Sequence, residues 1–233
     1  MSRNATKDLT TGSPMKLILG FGIPLLFGML FQQFYNMMDT IIVGKFLGVS
    51  ALASVGATGS INFMIIGFCM GVCNGFAIPV AQRFGAKDEH GMRKFVANSV
   101  WLSIIFAVVM AVLVCVFCRQ ILELMNTPED IIDGSYSYIF VIFLGIPATY
   151  MYNLLSGIMR SLGDSKTPLY LLIFSSILNI ILDLLSIIVL KMGVAGAAWA
   201  TVIAQAVSGF CCLGVIWKKF PILHVQREEW QPD

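Results

Sequence analysis

The chain has 233 residues, of which 58% are hydrophobic and only 12% charged, with a formal net charge of +2. A soluble domain of this length cannot bury so much apolar surface, so nucleic-acid binders, secreted disulfide scaffolds and Rossmann enzymes are excluded. The near-neutral total says nothing of partners; the positions of the charges say more.

In chain order, Lys16 to Asp39 encloses 22 uncharged residues, Lys45 to Arg83 encloses 37, Lys94 to Arg119 encloses 24, Asp133 to Arg160 encloses 26 and Lys191 to Lys218 encloses 26. A further apolar run, Thr167 to Leu190, is interrupted only by Asp183. Crossing a hydrocarbon core of about 30 Å takes about 20 helical residues, so each run predicts one transmembrane span. The expected fold is an all-α integral membrane protein, a six-transmembrane-helix bundle over residues 15–217. Residues 1–14 are expected as an N-terminal tail and residues 218–233 as a C-terminal tail.

Twelve cations, among them Arg3, Lys7, Arg83, Lys94, Arg160, Lys218 and Arg227, fall on one side of this map, against Lys45, Arg119 and Lys191 on the other. The positive-inside rule then places both termini in the cytoplasm. The fifteen rather polar residues before the first apolar run predict no cleavable signal. Thr127-Pro128-Glu129-Asp130 predicts a cap, a first-turn proline and two acids at the start of span four. Gly163-Asp164 before Thr167-Pro168 predicts a helix end, a turn and a capped start of span five. Pro24 removes a backbone hydrogen bond inside span one and predicts a kink.

Two stripes of small residues stand out. Gly67, Gly71 and Gly75 repeat every four residues in span two, as do Gly196, Ala200, Ala204, Ser208 and Cys212 in span six. Both are expected to let helices of this chain pack closely, with dimerisation as the alternative. All six cysteines fall within the predicted spans, Cys115-x-x-Cys118 included, and read as small apolar residues.

Asp39 and Asp183 are acids inside apolar spans, where a charge costs about 2.5–3.5 kcal/mol on insertion scales, so a role or a partner is expected for each. By helical rise they lie about 9 Å and about 12 Å from the outer ends of spans one and five. Each lies on a polar face: Gln32, Tyr35, Asn36, Asp39 and Thr40 in span one, Ser176, Asn179, Asp183 and Ser186 in span five. Thr201 of span six lies at similar depth; span four carries Tyr138 and, deeper, Thr149, Asn153 and Ser156. Together they predict one pocket of carboxylates, amides and hydroxyls, ligands for a proton or a hard cation such as Na⁺. The alternative is that both acids are interface residues bonded to neighbouring helices, or that they snorkel to the outer surface. His90 and His224 read as solvated, no HExxH, GxSxG or phosphate-binding loop is present, and no Arg or Lys lies well inside a span. The chain is therefore not expected to be an enzyme or to carry a cofactor.

Pro24, the run Gln32-Gln33-Phe34-Tyr35-Asn36-Met37-Met38-Asp39-Thr40, and Leu47-Gly48-Val49-Ser50-Ala51 resemble the first helix and loop of the MATE (multidrug and toxic compound extrusion) transporters. Ala81-Gln82-Arg83-Phe84-Gly85-Ala86, Arg160-Ser161-Leu162-Gly163-Asp164, Asn179-x-x-x-Asp183 and Gly193-Val194-Ala195-Gly196 are similar to later segments of that family, in order along the chain. The bacterial DinF-like and MepA-like members are the nearest in flavour. The resemblance implies a secondary antiporter in the plasma membrane that exports cationic or amphipathic compounds in exchange for H⁺ or Na⁺. It also implies a coupling-ion site at Asp39, Asn179, Asp183 and Thr201, with Tyr35 and Asn153 nearby and Pro24 at a bend of the first helix. The family has twelve helices in two lobes and this chain holds six. A second six-helix lobe, or a second copy of this chain, is therefore the implied partner, beside small organic substrates and membrane lipids. A lipid-linked sugar flippase of the same superfamily and an inactive fragment or membrane scaffold are the alternatives.

Overall fold

The computed structural model describes residues 12–223. Among them the regular structure is all helical: α1 (Pro14–Leu47), α2 (Val49–Gly85), α3 (Glu89–Val116), α4 (Cys118–Leu124), α5 (Glu129–Leu144), α6 (Ile146–Ser161), α7 (Lys166–Leu184) and α8 (Gly193–Lys219). A π-helical turn, Leu185–Val189, extends α7, and a 3₁₀ turn, Pro221–Leu223, comes after α8. Helix is what such a sequence must form in hydrocarbon, because it satisfies each backbone N–H and C=O within its own segment.

Five of these helices are long and apolar enough to cross a membrane, and α5 with α6 makes the sixth span, bent by 47° at Gly145. The six predicted spans are therefore present, with span four broken. Gly145 sits where α5 and α6 meet α8, and a Cβ built there would overlap the Val202 side chain; only glycine lets the chains approach so closely. Pro147 stands in the first turn of α6, where its missing N–H leaves no bond unmade.

Pro24 lies inside α1, which continues through it as one helix of 34 residues. The helix turns into α2 across a single residue, Gly48, whose φ of 86° lies in the left-handed region. Two predicted caps move. Pro128, not Thr127, occupies the N-cap position of α5, with Glu129 and Asp130 in the first turn. Before α7, the capping group is Asp164: its carboxylate accepts from Lys166 N at 3.1 Å, Thr167 N at 3.0 Å and Thr167 Oγ1 at 2.5 Å. Asp164 outcompetes Thr167 because a carboxylate offers two acceptor oxygens to the free N–H groups of a helix start.

At the centre of the bundle α8 packs on α5, α6 and α7, and α2 packs on α3, α5 and α6, while α1 lies outside against α2 and α7. Large apolar side chains such as Phe63, Leu26 and Trp217 point outward at 82%, 62% and 72% exposure, as lipid-facing residues do. The stripe on α8 is buried throughout. The stripe on α2 is not: nothing lies within 4 Å of a Cβ built on Gly67, Gly71 or Gly75, so packing within this chain does not explain it. Phe220 and Leu223, in the stretch expected to be a tail, are buried against the bundle. Arg3, Lys7, His224 and Arg227 lie outside the described residues, as do most of the two expected tails. All six cysteines are free thiols.

Candidate functional site: a carboxyl pair between α1 and α7

Asp39 and Asp183 are brought side by side. Asp39 comes from the last third of α1 and Asp183 from the end of α7, at 9% and 0% exposure, and their carboxyl groups are within hydrogen-bonding reach of one another. The helical periods that brought them there also carry their neighbours. Asn179 is one turn before Asp183 and fully buried, and Tyr35 is one turn before Asp39 and buried.

Thr201 of α8 ties the two helices together. The Tyr35 hydroxyl donates to Thr201 Oγ1 at 3.2 Å. With its amide oriented to satisfy both ends, Asn179 accepts from Thr201 Oγ1 and from Thr201 N, each at 3.2 Å, and donates to Asp183 Oδ2 at 2.9 Å. The chain of donors therefore runs Tyr35 to Thr201 to Asn179 to Asp183, each bond polarising the next. It ends at a carboxyl group with oxygen to spare: Asp183 Oδ1 and Asp39 Oδ1 are both buried without a partner. Buried polar atoms are nearly always bonded, and two adjacent carboxyl oxygens left without a bond have the chemistry to accept a proton or a hard cation. Tyr138 of α5, also buried, lies close enough to feel both acids and Tyr35.

The predicted polar face of span one divides. Tyr35 and Asp39 turn inward. Asn36 and Thr40 are exposed and bond within their own helix, Asn36 to Gln33 at 3.4 Å and Thr40 to the Asn36 carbonyl at 2.9 Å. Asn153 stands apart from the carboxyl pair. Its amide donates to the Thr149 carbonyl at 2.8 Å, and Asn153 lines a cavity with Pro24 and Gln32, toward the opposite end of the bundle. Arg160, read from sequence as a loop cation, is in the last helical turn of α6 and lines the same cavity. The only early sign of this was its place four residues after Ser156, on one helix face with it.

Comparisons with known proteins agree with this architecture. The MatE family model matches residues 24–185. The probable multidrug resistance protein YoeA of Bacillus subtilis is 35% identical over 205 residues, covering 85% of this chain and 44% of its own length. The multidrug export protein MepA of Staphylococcus saprophyticus is 27% identical over 225 residues, covering 94% of this chain and 49% of its own. Among solved structures, a multidrug resistance MATE family transporter of the MOP superfamily in an outward-facing conformation superposes with a TM-score of 0.90 at 27% identity, over all of this chain and 51% of that one. A MATE structure in the bent conformation gives 0.89 at 27% identity, over all of this chain and 52% of that one. The chain thus spans about half the length of the relatives it matches.

Proposed function

The chain belongs to the MatE family, and from that membership we propose that it is the N-terminal six-helix lobe of a membrane antiporter that exports cationic or amphipathic compounds in exchange for H⁺ or Na⁺. The observation that carries the reading is the facing pair of buried carboxyl groups with orphaned oxygens, shared between α1 and α7. The names of YoeA and MepA support the substrate class.

Two carboxylates cannot both stay charged in a dry site without a compensating cation. A proton or Na⁺ between Asp39 and Asp183 draws α1 against α7, and its loss drives them apart. Tyr35, Thr201 and Asn179 orient the pair, and Pro24 is where α1 is weakest as a helix, so the change in charge is relieved by bending there. The compound leaves as the ion enters. The bundle lies in the plasma membrane with both termini cytoplasmic, as the twelve-to-three distribution of cations supports, and the organism is bacterial, like those of YoeA and MepA.

The test is ion-driven efflux of a fluorescent cation from proteoliposomes holding this chain with a matching C-terminal lobe. Efflux is expected with both lobes and not with this chain alone. Asp39→Asn and Asp183→Asn are each expected to slow it by about 5- to 150-fold, the span of ordinary coupling energies of ~1–3 kcal/mol. Coupling that survives both substitutions in an active preparation sinks the proposed site.

A further inference from the structure

The cavity lined by Pro24, Gln32 and Asn153 holds a charge opposite in sign to the carboxyl pair. It has a volume of about 570 Å³ and lies between α1, α2, α6 and α7, toward the end of the bundle that carries the α6–α7 turn. Its walls are mostly apolar, with Phe21, Leu25, Met29, Met70, Ile78 and Leu172 among them. Among the described residues, Arg160 is the single charged one lining it, with no acid, lysine or histidine beside it.

The guanidinium lies back along its own helix, its Nη2 3.9 Å from where a Cβ on Gly157 would stand. Its electrostatic neighbours are Tyr152, Cys73 and Cys212, none of them an acid. The acid closest in sequence, Asp164, is fully engaged by Lys166 N, Thr167 N and Thr167 Oγ1. A half-buried guanidinium that has no carboxylate among the described residues leaves its donors and its charge for a ligand to meet. Ser161 and Ser165 line the wall near it, and Tyr152, Asn153 and Asn74 add further polar groups.

We propose that this cavity is a seat for an amphipathic anion, its phosphate or carboxylate head paired with Arg160 and its apolar body laid along the α1–α2–α7 wall. The chemistry selects both halves. A guanidinium binds a planar or tetrahedral oxyanion through two parallel N–H groups, and a cavity of this size and apolarity accepts a body of small-molecule dimensions. The assignment goes beyond the exporter reading. It is tested by binding alone, so either can fail while the other stands.

The full 233-residue chain is purified in a neutral maltoside detergent and its thermal unfolding followed with decyl phosphate, inorganic phosphate, decyltrimethylammonium or dihexanoyl phosphatidylglycerol, each below its micellar concentration. Decyl phosphate is expected to raise Tm, with little effect of inorganic phosphate and none of the cation. Arg160→Gln is expected to remove the shift. Arg160→Lys, which keeps the charge but not the fork, is expected to raise the half-saturating concentration by about tenfold, and it serves alone should the glutamine variant fail to fold. Stabilisation by phosphatidylglycerol as well identifies a lipid headgroup as a source; stabilisation by decyl phosphate alone identifies a soluble amphiphile. An equal shift from the cation, an unchanged shift in the Arg160 variants, or a wild-type chain insensitive to decyl phosphate overturns the proposal.

Discussion

The stripes on α2 and α8 are written in the same alphabet and meet different fates. On α8, Ala200, Ala204, Ser208 and Cys212 are at 0–1% exposure, and a Cβ on Gly196 would stand 3.0 Å from the Cβ atoms of Ser186 and Met192. On α2, the Cβ positions of Gly67, Gly71 and Gly75 look onto open space, flanked by Met64 and Phe68 at 65% and 57% exposure. Small residues every four positions strip a helix face of side chains so that another backbone can come near. The pattern reports the stripping, not who approaches. Within this chain α8 has its partners, and α2 keeps a smooth face turned outward, where the proposed second lobe would find it.

Substitution can break that contrast. The largest effect is expected at Ala200→Leu, where the added side chain has no room. Overpacking costs about 1–3 kcal/mol or more, and thermal unfolding together with thiol labelling of buried Cys212 should register a loosened bundle. Gly71→Leu is expected to leave the isolated chain within about 0.5 kcal/mol of wild type, since nothing stands in the way. Co-purification with a matching C-terminal lobe should nonetheless fall. A Gly71→Leu chain that unfolds as readily as Ala200→Leu, or that pairs as well as wild type, removes the distinction between the two stripes.

The smallest change is expected at the membrane surface, away from both stripes, at Asp88. Its carboxylate caps α3 by accepting from Gly91 N at 2.9 Å, and this bond, together with the Arg83 ion pair at 2.7 Å, holds it below the usual carboxylate range. A group whose folded value is depressed stabilises the fold above its unfolded pKa of about 3.9 and loses that contribution as pH falls through the folded value. Asp88→Ala should therefore flatten the acid side of the stability profile in thermal scans, the two proteins converging once pH falls below the depressed folded value of Asp88. Curves that run parallel across the whole acid limb would show the cap to be idle.

How much of this could be read without coordinates is clearest at a repeated tripeptide. Gly22-Ile23-Pro24 and Gly145-Ile146-Pro147 are identical, yet α1 runs through the first and the helix turns by 47° at the second. The local chemistry is the same. Gly22 has nothing near it, whereas Gly145 is pressed by Val202, and a contact made across 57 positions of sequence leaves no local trace. The six spans were legible because hydrocarbon thickness sets their length. Asp39 and Asp183 were legible because an acid in an apolar run demands a reason, and Tyr35, Asn179 and Thr201 could be placed beside them by helical spacing and depth. Asn153, expected deeper than the acids, lines the cavity with Pro24 and Gln32. Arg160 was hidden by standing just before a turn, where a cation ordinarily reaches water.

The π turn after Asp183 carries the last residues of the helix before the chain turns into α8. Leu190 N bonds the Leu185 carbonyl at 3.0 Å and Met192 N bonds the Ser186 carbonyl at 3.0 Å, so the chain carries one residue more than an α path would use. Within that helix, one surplus residue shifts the side chains beyond it by about 100° relative to α spacing. The end of α7 is thus a rotational offset, and Ser186 and Ile187 in it are buried.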